Sequence, residues 1–252
     1  MRLIGAEVLK LVRRRGLMAW SLLLTVGTVL IAEIVLVVLH AVNPSHHGPA
    51  GGATNLEHYV FLASGLGNVA AILIGATAGT QDASNGVFRD LVVTGRKRSA
   101  LFNVRVPGAL AVFLPILALG LGLAIAGSFV LAGGLPNASG ATIAKYVEYA
   151  VAITTINIII AVGLAAFASS RVVVGVLIAW NAIVSQLLMQ ISSLGSVRKG
   201  IDVAAAEHFM PLTNNGGGAR IAMSAVTALL VLAGWALVFT RAGRWWTVRR
   251  DA

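Results

Sequence analysis

The stretch Leu17–Leu39, LMAWSLLLTVGTVLIAEIVLVVL, decides the fold. At 1.5 Å of rise per residue such a run exceeds the roughly 30 Å hydrocarbon thickness of a bilayer, and a single charge, Glu33, interrupts it. Five further runs of similar length follow, at Val60–Thr80, Val106–Ala132, Val147–Ala168, Val172–Leu194 and Ile221–Thr240. The reading is an all-α, polytopic integral membrane protein with six transmembrane helices. Composition agrees: the 252 residues are 58% hydrophobic and 11% charged, against about a quarter charged in soluble domains. A single transmembrane domain, residues 1–252, accounts for the chain, with no soluble stretch long enough to fold alone.

The net charge of +10 would point to nucleic acid in a soluble protein. Its placement excludes that reading. Arg2, Lys10 and Arg13 to Arg15 precede the first span, and Arg89, Arg96, Lys97, Arg98 and Arg105 lie between the second and third. Arg171 sits between the fourth and fifth, and Arg241, Arg244, Arg249 and Arg250 follow the sixth. Only Lys145, Arg198, Lys199 and Arg220 fall on the other side. The positive-inside rule then predicts a bacterial inner (plasma) membrane protein with both termini cytoplasmic. Anionic lipid headgroups explain the basic balance. The chain has no cysteine, which removes disulfides, thiolate nucleophiles and cysteine zinc sites. The N-terminus does not read as a cleavable signal, because its apolar run is too long and no small-x-small site follows.

Residues 1–15 form a unit of their own. On a helical wheel Met1, Ile4, Gly5, Val8, Leu9, Leu11 and Val12 share one face, with Arg2, Glu7, Lys10, Arg13 and Arg14 opposite. That pattern predicts an amphipathic helix in the headgroup plane, the alternative being a basic flank that only orients the first span. Glu33 must face protein or water, or be protonated, and a snorkelling role competes with a transport role. The loop after it carries His46, His47 and His58. It has no cysteine and no HxxxH spacing, so no metal or other cofactor is expected.

Small residues recur at every fourth position of the second span: Ala63, Gly67, Ala71, Gly75, Gly79 and Ala83. Gly120, Ala124, Ser128 and Ala132 repeat this in the third. Both predict close helix packing, in the same subunit or another. The fifth span gathers Asn181, Ser185, Gln186, Gln190, Ser192 and Ser193 on one half of its wheel. Interhelical hydrogen bonding accounts for such a face, as do a translocation path and a subunit interface. The extracellular segment 195–220 contains IDVAAAEHF, which predicts a short amphipathic helix over Ile201–Phe209 dipping toward the outer leaflet. Trp245 and Trp246, just past the sixth span, suit an aromatic anchor at the inner interface.

The cytoplasmic segment 79–105 reads GTQDASNGVFRDLVVTGRKRSALFNVR, with a short helix expected near Ser84–Val93. Asp82, Gly86, Leu91, Thr94, Arg98, Leu101 and Arg105 fall at the spacings by which this loop resembles that of permease subunits of ABC type-2 transporters, the exporter class. Gly95 departs from a usual proline, Val87-Phe88 from Thr-Leu, and Arg105 from a lysine. The order of features along the whole chain carries the same resemblance. It implies a coupling helix at Ser84–Thr94, with Asp82, Gly86, Phe88, Arg89, Leu91, Thr94 and Arg98 engaging the ATPase. It also implies two partners, an ABC ATP-binding subunit and a second permease copy or paralogue. An ordinary basic inner loop is the bland alternative. No P-loop is present, so ATP hydrolysis would belong to a partner chain, and no catalytic residues are expected here. A stand-alone secondary transporter or channel is the competing function. It is weakened by the scarcity of ionisable residues within the expected spans, Glu33 being the one acidic or basic side chain away from a span end.

Overall fold

The computed structural model describes residues 2–84, 86, 92–93, 95, 97–211 and 221–249. Among them the chain is helical with no strand. The elements are α1 (Arg2–Val12), α2 (Arg15–Val42), α3 (Ala53–Ser84), α4 (Arg98–Asn103), α5 (Arg105–Val130), α6 (Gly140–Leu164), α7 (Ser170–Gln190), α8 (Asp202–Glu207) and α9 (Ala225–Arg249). Six helical stretches are long and apolar enough to cross a membrane: α2, α3, α4 with α5, α6, α7 and α9. The protein is a multi-pass membrane protein of all-α class. Arg13 to Arg15, Lys97, Arg98 and Arg241 to Arg249 cluster at one end of these helices, called here the basic end.

At the centre lie α3 and α6, which pack together more extensively than any other pair. Glycine makes this possible. A Cβ at Gly75 would stand 2.9 Å from the Ala161 Cβ, and one at Gly79 only 2.2 Å from that of Ala165. The Gly75-xxx-Gly79 stripe therefore packs within its own subunit, where close backbone approach gains dispersion that lipid cannot supply. In α5, Gly120, Ala124 and Ser128 are buried, with Ala132 just past its end. The peripheral helices expose apolar side chains: Ile31, Ile34 and Val38 on α2, Ile183 and Leu187 on α7, Leu229 and Leu230 on α9. In a span, such faces meet lipid or another membrane helix.

Several boundaries differ from expectation. Helix α3 starts at Ala53 rather than Val60, because ATNLEHY is polar yet helical. Gly51 and Gly52 strap its start to the end of α5 by donating to the Leu131 and Ser128 carbonyls at 2.8 Å each. Helix α7 stops at Gln190, four residues short of the expected Leu194. Helix α9 continues to Arg249, so Trp245 and Trp246 lie within it rather than beyond it. The Arg249 guanidinium covers the Trp245 ring at 4.4 Å.

Two short elements differ in detail from the helical-wheel reading. In α1, Leu11 is buried and Ile4 and Val8 are half-buried, but Leu9 and Val12 from the expected apolar face are exposed. Glu7, from the expected polar face, turns inward against Gly108 of α5. Helix α8 is not amphipathic: Ile201 to Ala206 are buried on every side. Trp180 of α7 donates to the Asp202 carboxyl at 2.8 Å, and Trp235 of α9 to the Gly200 carbonyl at 2.9 Å. Each indole sits ten residues, about 15 Å, from the tip of its helix farthest from the basic end. The segment is thus drawn into the bundle, its irregular backbone satisfied by protein.

Both α2 and α7 are interrupted by one π-helical turn, at Leu23–Gly27 and Trp180–Val184. Such a turn inserts an extra residue and re-aims a side chain. In α2 it carries Thr25, in α7 Asn181.

Candidate functional site

Two regions hold the sequence-predicted residues, and they lie at different depths. The first is the root of the segment between α3 and α4. Asp82 is buried on the last turn of α3, where Lys10 Nζ of α1 donates to Oδ1 at 2.8 Å. Lys10 also meets Glu7 Oε2 at 2.5 Å, and Arg105 Nη2 stands 3.5 Å from Asp82 Oδ2. Burial raises the Glu7 carboxyl above its ordinary value, against the pull of its hydrogen bond to Lys10. Four charged groups from α1, α3 and α5 therefore form one nearly dry cluster that unites both roots of the loop with the N-terminal helix.

Arg98, on α4, donates to the Val248 carbonyl of α9 at 3.1 Å. Gly86 is exposed with φ +71°, a conformation that glycine adopts without strain. Phe88, Arg89, Leu91 and Thr94 lie outside the described residues, and with them most of the expected coupling helix.

The second region is a cluster of carboxamides where α3, α6 and α7 converge. The Leu177 carbonyl can only accept, so the Asn181 atom 2.8 Å from it is the amide nitrogen. That nitrogen also donates to Asn157 Oδ1 at 2.8 Å. The remaining atom, Asn181 Oδ1, accepts from Asn157 Nδ2 at 3.2 Å and Asn68 Nδ2 at 3.3 Å. Asn157 spends its second N–H on the Ile153 carbonyl at 2.9 Å. Every orientation is thereby fixed, and one acceptor is left over. Asn68 Oδ1 is buried and has no hydrogen-bond partner among the described residues.

Beside this cluster is a cavity of ≈ 330 Å³. Asn68 and Asn181 line it together with Ser64, Tyr149 and Glu207 of α8, and Ile72, Ile153 and Ile178 supply apolar wall. Gln186 also lines it and donates to Glu207 Oε1 at 3.4 Å. Its rim includes the exposed Phe61, Gly65 and Ala182, so it opens sideways between α3 and α7.

The fifth-span candidates are therefore divided. Asn181 and Gln186 reach the cavity. Ser185 is buried but donates to the Asn181 carbonyl of its own helix at 3.1 Å. Gln190 is exposed at the end of α7, and Ser192 and Ser193 lie beyond it. Glu33 packs elsewhere, against Gly127 of α5, where a Cβ would strike its carboxyl oxygen at 2.0 Å. It faces protein, as a carboxyl in a span must. Sequence reasoning did not single out Asn68, Asn157 or Glu207. Lone amides in apolar spans were the available signal, since polar groups at membrane depth need partners. Among the described residues no group of three His, Asp or Glu side chains is placed to hold a metal.

No family model matches this chain, and no curated protein or solved structure is similar enough to it to count as a match.

Proposed function

We propose that the protein is the transmembrane permease subunit of an ATP-binding-cassette exporter, forming the translocation path while a separate ATPase subunit supplies energy. In this reading the basic end is cytoplasmic, the host membrane is a bacterial inner membrane, and α1 rides at its headgroup layer. The observation that carries the reading is the Glu7–Lys10–Asp82–Arg105 cluster at the root of the loop. A motor pushing on segment 79–105 needs that segment fastened to the spans it moves. Parting a charge pair largely removed from water leaves an uncompensated buried charge, at a cost of about 3–5 kcal/mol, whereas an exposed pair is worth about 0–1 kcal/mol. The sideways-opening cavity supplies a place for cargo next to the spans so driven. A second copy or a paralogue would complete the path from six spans to twelve.

Mild-detergent purification from the native host tests this. An ATPase subunit should accompany the chain, and Phe88→Asp or Leu91→Asp should abolish its recovery while membrane insertion is kept. Recovery unchanged by either substitution removes the coupling role. A chain that purifies alone and moves solute in ATP-free proteoliposomes is a stand-alone transporter instead.

A further inference from the structure

Helix α8 carries a carboxyl that, among the described residues, no cation balances. Asp202 is fully buried at the point where the chain after α7 turns inward: residues 192–200 lie largely exposed, and Ile201 to Ala206 are buried. Its Oδ1 accepts from the Trp180 indole at 2.8 Å, whereas Oδ2 is sealed from solvent and has no hydrogen-bond partner among the described residues. Trp235 of α9 holds the same segment through the Gly200 carbonyl, and the two indole rings lie 5.7 Å apart. One aromatic pair thus grips the segment at two neighbouring points.

The titratable groups around Asp202 are directed elsewhere. Helix α7 has none between Val172 and Gln190, and α9 has none between Ala225 and Thr240. Helix α6 brings Tyr146 and Tyr149, with Lys145 and Glu148 exposed. In the lead-in Lys199 is exposed, and the Arg198 guanidinium donates to the Met189 and Gly195 carbonyls at 3.0 and 3.2 Å. Glu207, at the other end of α8, accepts from Gln186 at 3.4 Å, with His208 beside it in sequence. Among the described residues none of these groups hydrogen-bonds or ion-pairs with Asp202.

A charge sealed away without a counter-charge is far costlier than a neutral O–H in the same place. Burial accordingly pushes the Asp202 carboxyl above its ordinary value of 3.8, against hydrogen bonds from the indole and nearby backbone N–H groups. A proton held more tightly in the docked segment favours docking in full below pH 3.8. That contribution is lost as pH rises through the docked value.

We propose that segment 191–209 is docked into the bundle by a proton: with Asp202 as the neutral acid it stays on Trp180 and Trp235, and ionisation of Asp202 releases it. The released stretch includes Val203 and Glu207, which line the ≈ 330 Å³ cavity, so release also removes that part of its wall. The device depends on the fold alone and needs no ATPase.

Hydrogen–deuterium exchange of the full chain in lipid nanodiscs tests this across a pH series, with rates corrected for the intrinsic pH dependence of amide exchange. Residues 201–209 include the bonded Ala205 and Phe209 N–H groups. Their protection should fall as pH rises, by up to about tenfold per pH unit once the carboxyl titrates. Asp202→Asn keeps an acceptor for Trp180 but cannot ionise, so its protection should stay level over the same range. Glu207→Gln and His208→Gln should each retain the wild-type decline, which assigns the titration to Asp202 rather than to its neighbours. Should Asp202→Asn fail to give monodisperse protein, Asp202→Ser, also neutral, takes its place. Wild-type protection that does not change with pH overturns the proposal. So does a decline that persists unchanged in the neutral Asp202 variant, or one abolished by Glu207→Gln or His208→Gln.

Discussion

Helix α3 is flanked by two π-helical turns, and they do opposite things. On the α2 side the turn presses Thr25 into a notch formed by Gly67 and Gly120, whose absent Cβ atoms would lie 3.0–3.3 Å from it. Shape fills this site, and the Thr25 hydroxyl oxygen has no hydrogen-bond partner among the described residues. On the α7 side the turn delivers Asn181 to Asn157 and Asn68, where hydrogen bonds rather than close packing join the helices. One backbone device thus yields a dry lock on one flank and a polar, incompletely filled seam on the other. The difference teaches where this bundle can open. Small-residue packing tolerates no displacement, whereas amide pairs beside a cavity can exchange partners with a ligand.

Substitutions that break the comparison should scale accordingly. Gly120→Val should have the largest effect, about 3 kcal/mol, because its Cβ meets the Thr25 carbonyl at 3.0 Å and a backbone cannot step aside. Loss of a monodisperse peak or a sharply lower unfolding temperature in detergent would register it. Asn181→Leu should cost less, about 1–2 kcal/mol, since interhelical hydrogen bonds in membranes are individually modest. It orphans the Asn157 carbonyl and an Asn68 N–H. Thr25→Val should change stability by no more than about 0.5 kcal/mol, or raise it, because the lost hydroxyl bonds nothing while the shape is kept. Thermal scanning of the three variants in one lipid composition ranks them. A Thr25→Val loss as large as that of Asn181→Leu would erase the contrast.

The smallest effect concerns pH at the basic end. The Glu7 carboxyl is raised above its ordinary value of 4.5 by burial, so the folded state holds its proton more tightly than the unfolded one. Its stabilising contribution is complete below pH 4.5 and is lost as pH rises through the folded value. Glu7→Gln should flatten that part of the stability-versus-pH curve. A curve identical to the wild type would show that Glu7 is not held as described.

The six spans were legible because length and apolarity alone specify a bilayer-crossing helix. The stripes of Gly75, Gly79 and Gly120 announced close packing, but only tertiary structure names the partner helix. Asn68 and Asn157 each stand alone in their spans, so no periodicity marked them; they acquire meaning by meeting Asn181. Helix α8 was expected to be amphipathic from Asp202 and Glu207 at its ends. A half-buried indole partner for Asp202 and a cavity for Glu207 lie far away in sequence and could not be read there. The start of α3 was missed for a related reason, since polar residues at Asn55, Glu57 and His58 resemble a loop until their neighbours Leu56 and Tyr59 are seen to be buried.

The orientation of the chain underlies every functional statement, and the absence of cysteine makes it directly measurable. Single cysteines at the exposed Lys97, on the basic end, and Ser193, just past the opposite tip of α7, provide the two reporters. With a membrane-impermeant maleimide, Lys97→Cys should label only in inverted vesicles and Ser193→Cys only in intact spheroplasts. Labelling of Lys97→Cys from the outside would place segment 79–105 beyond the reach of any cytoplasmic motor and contradict the account.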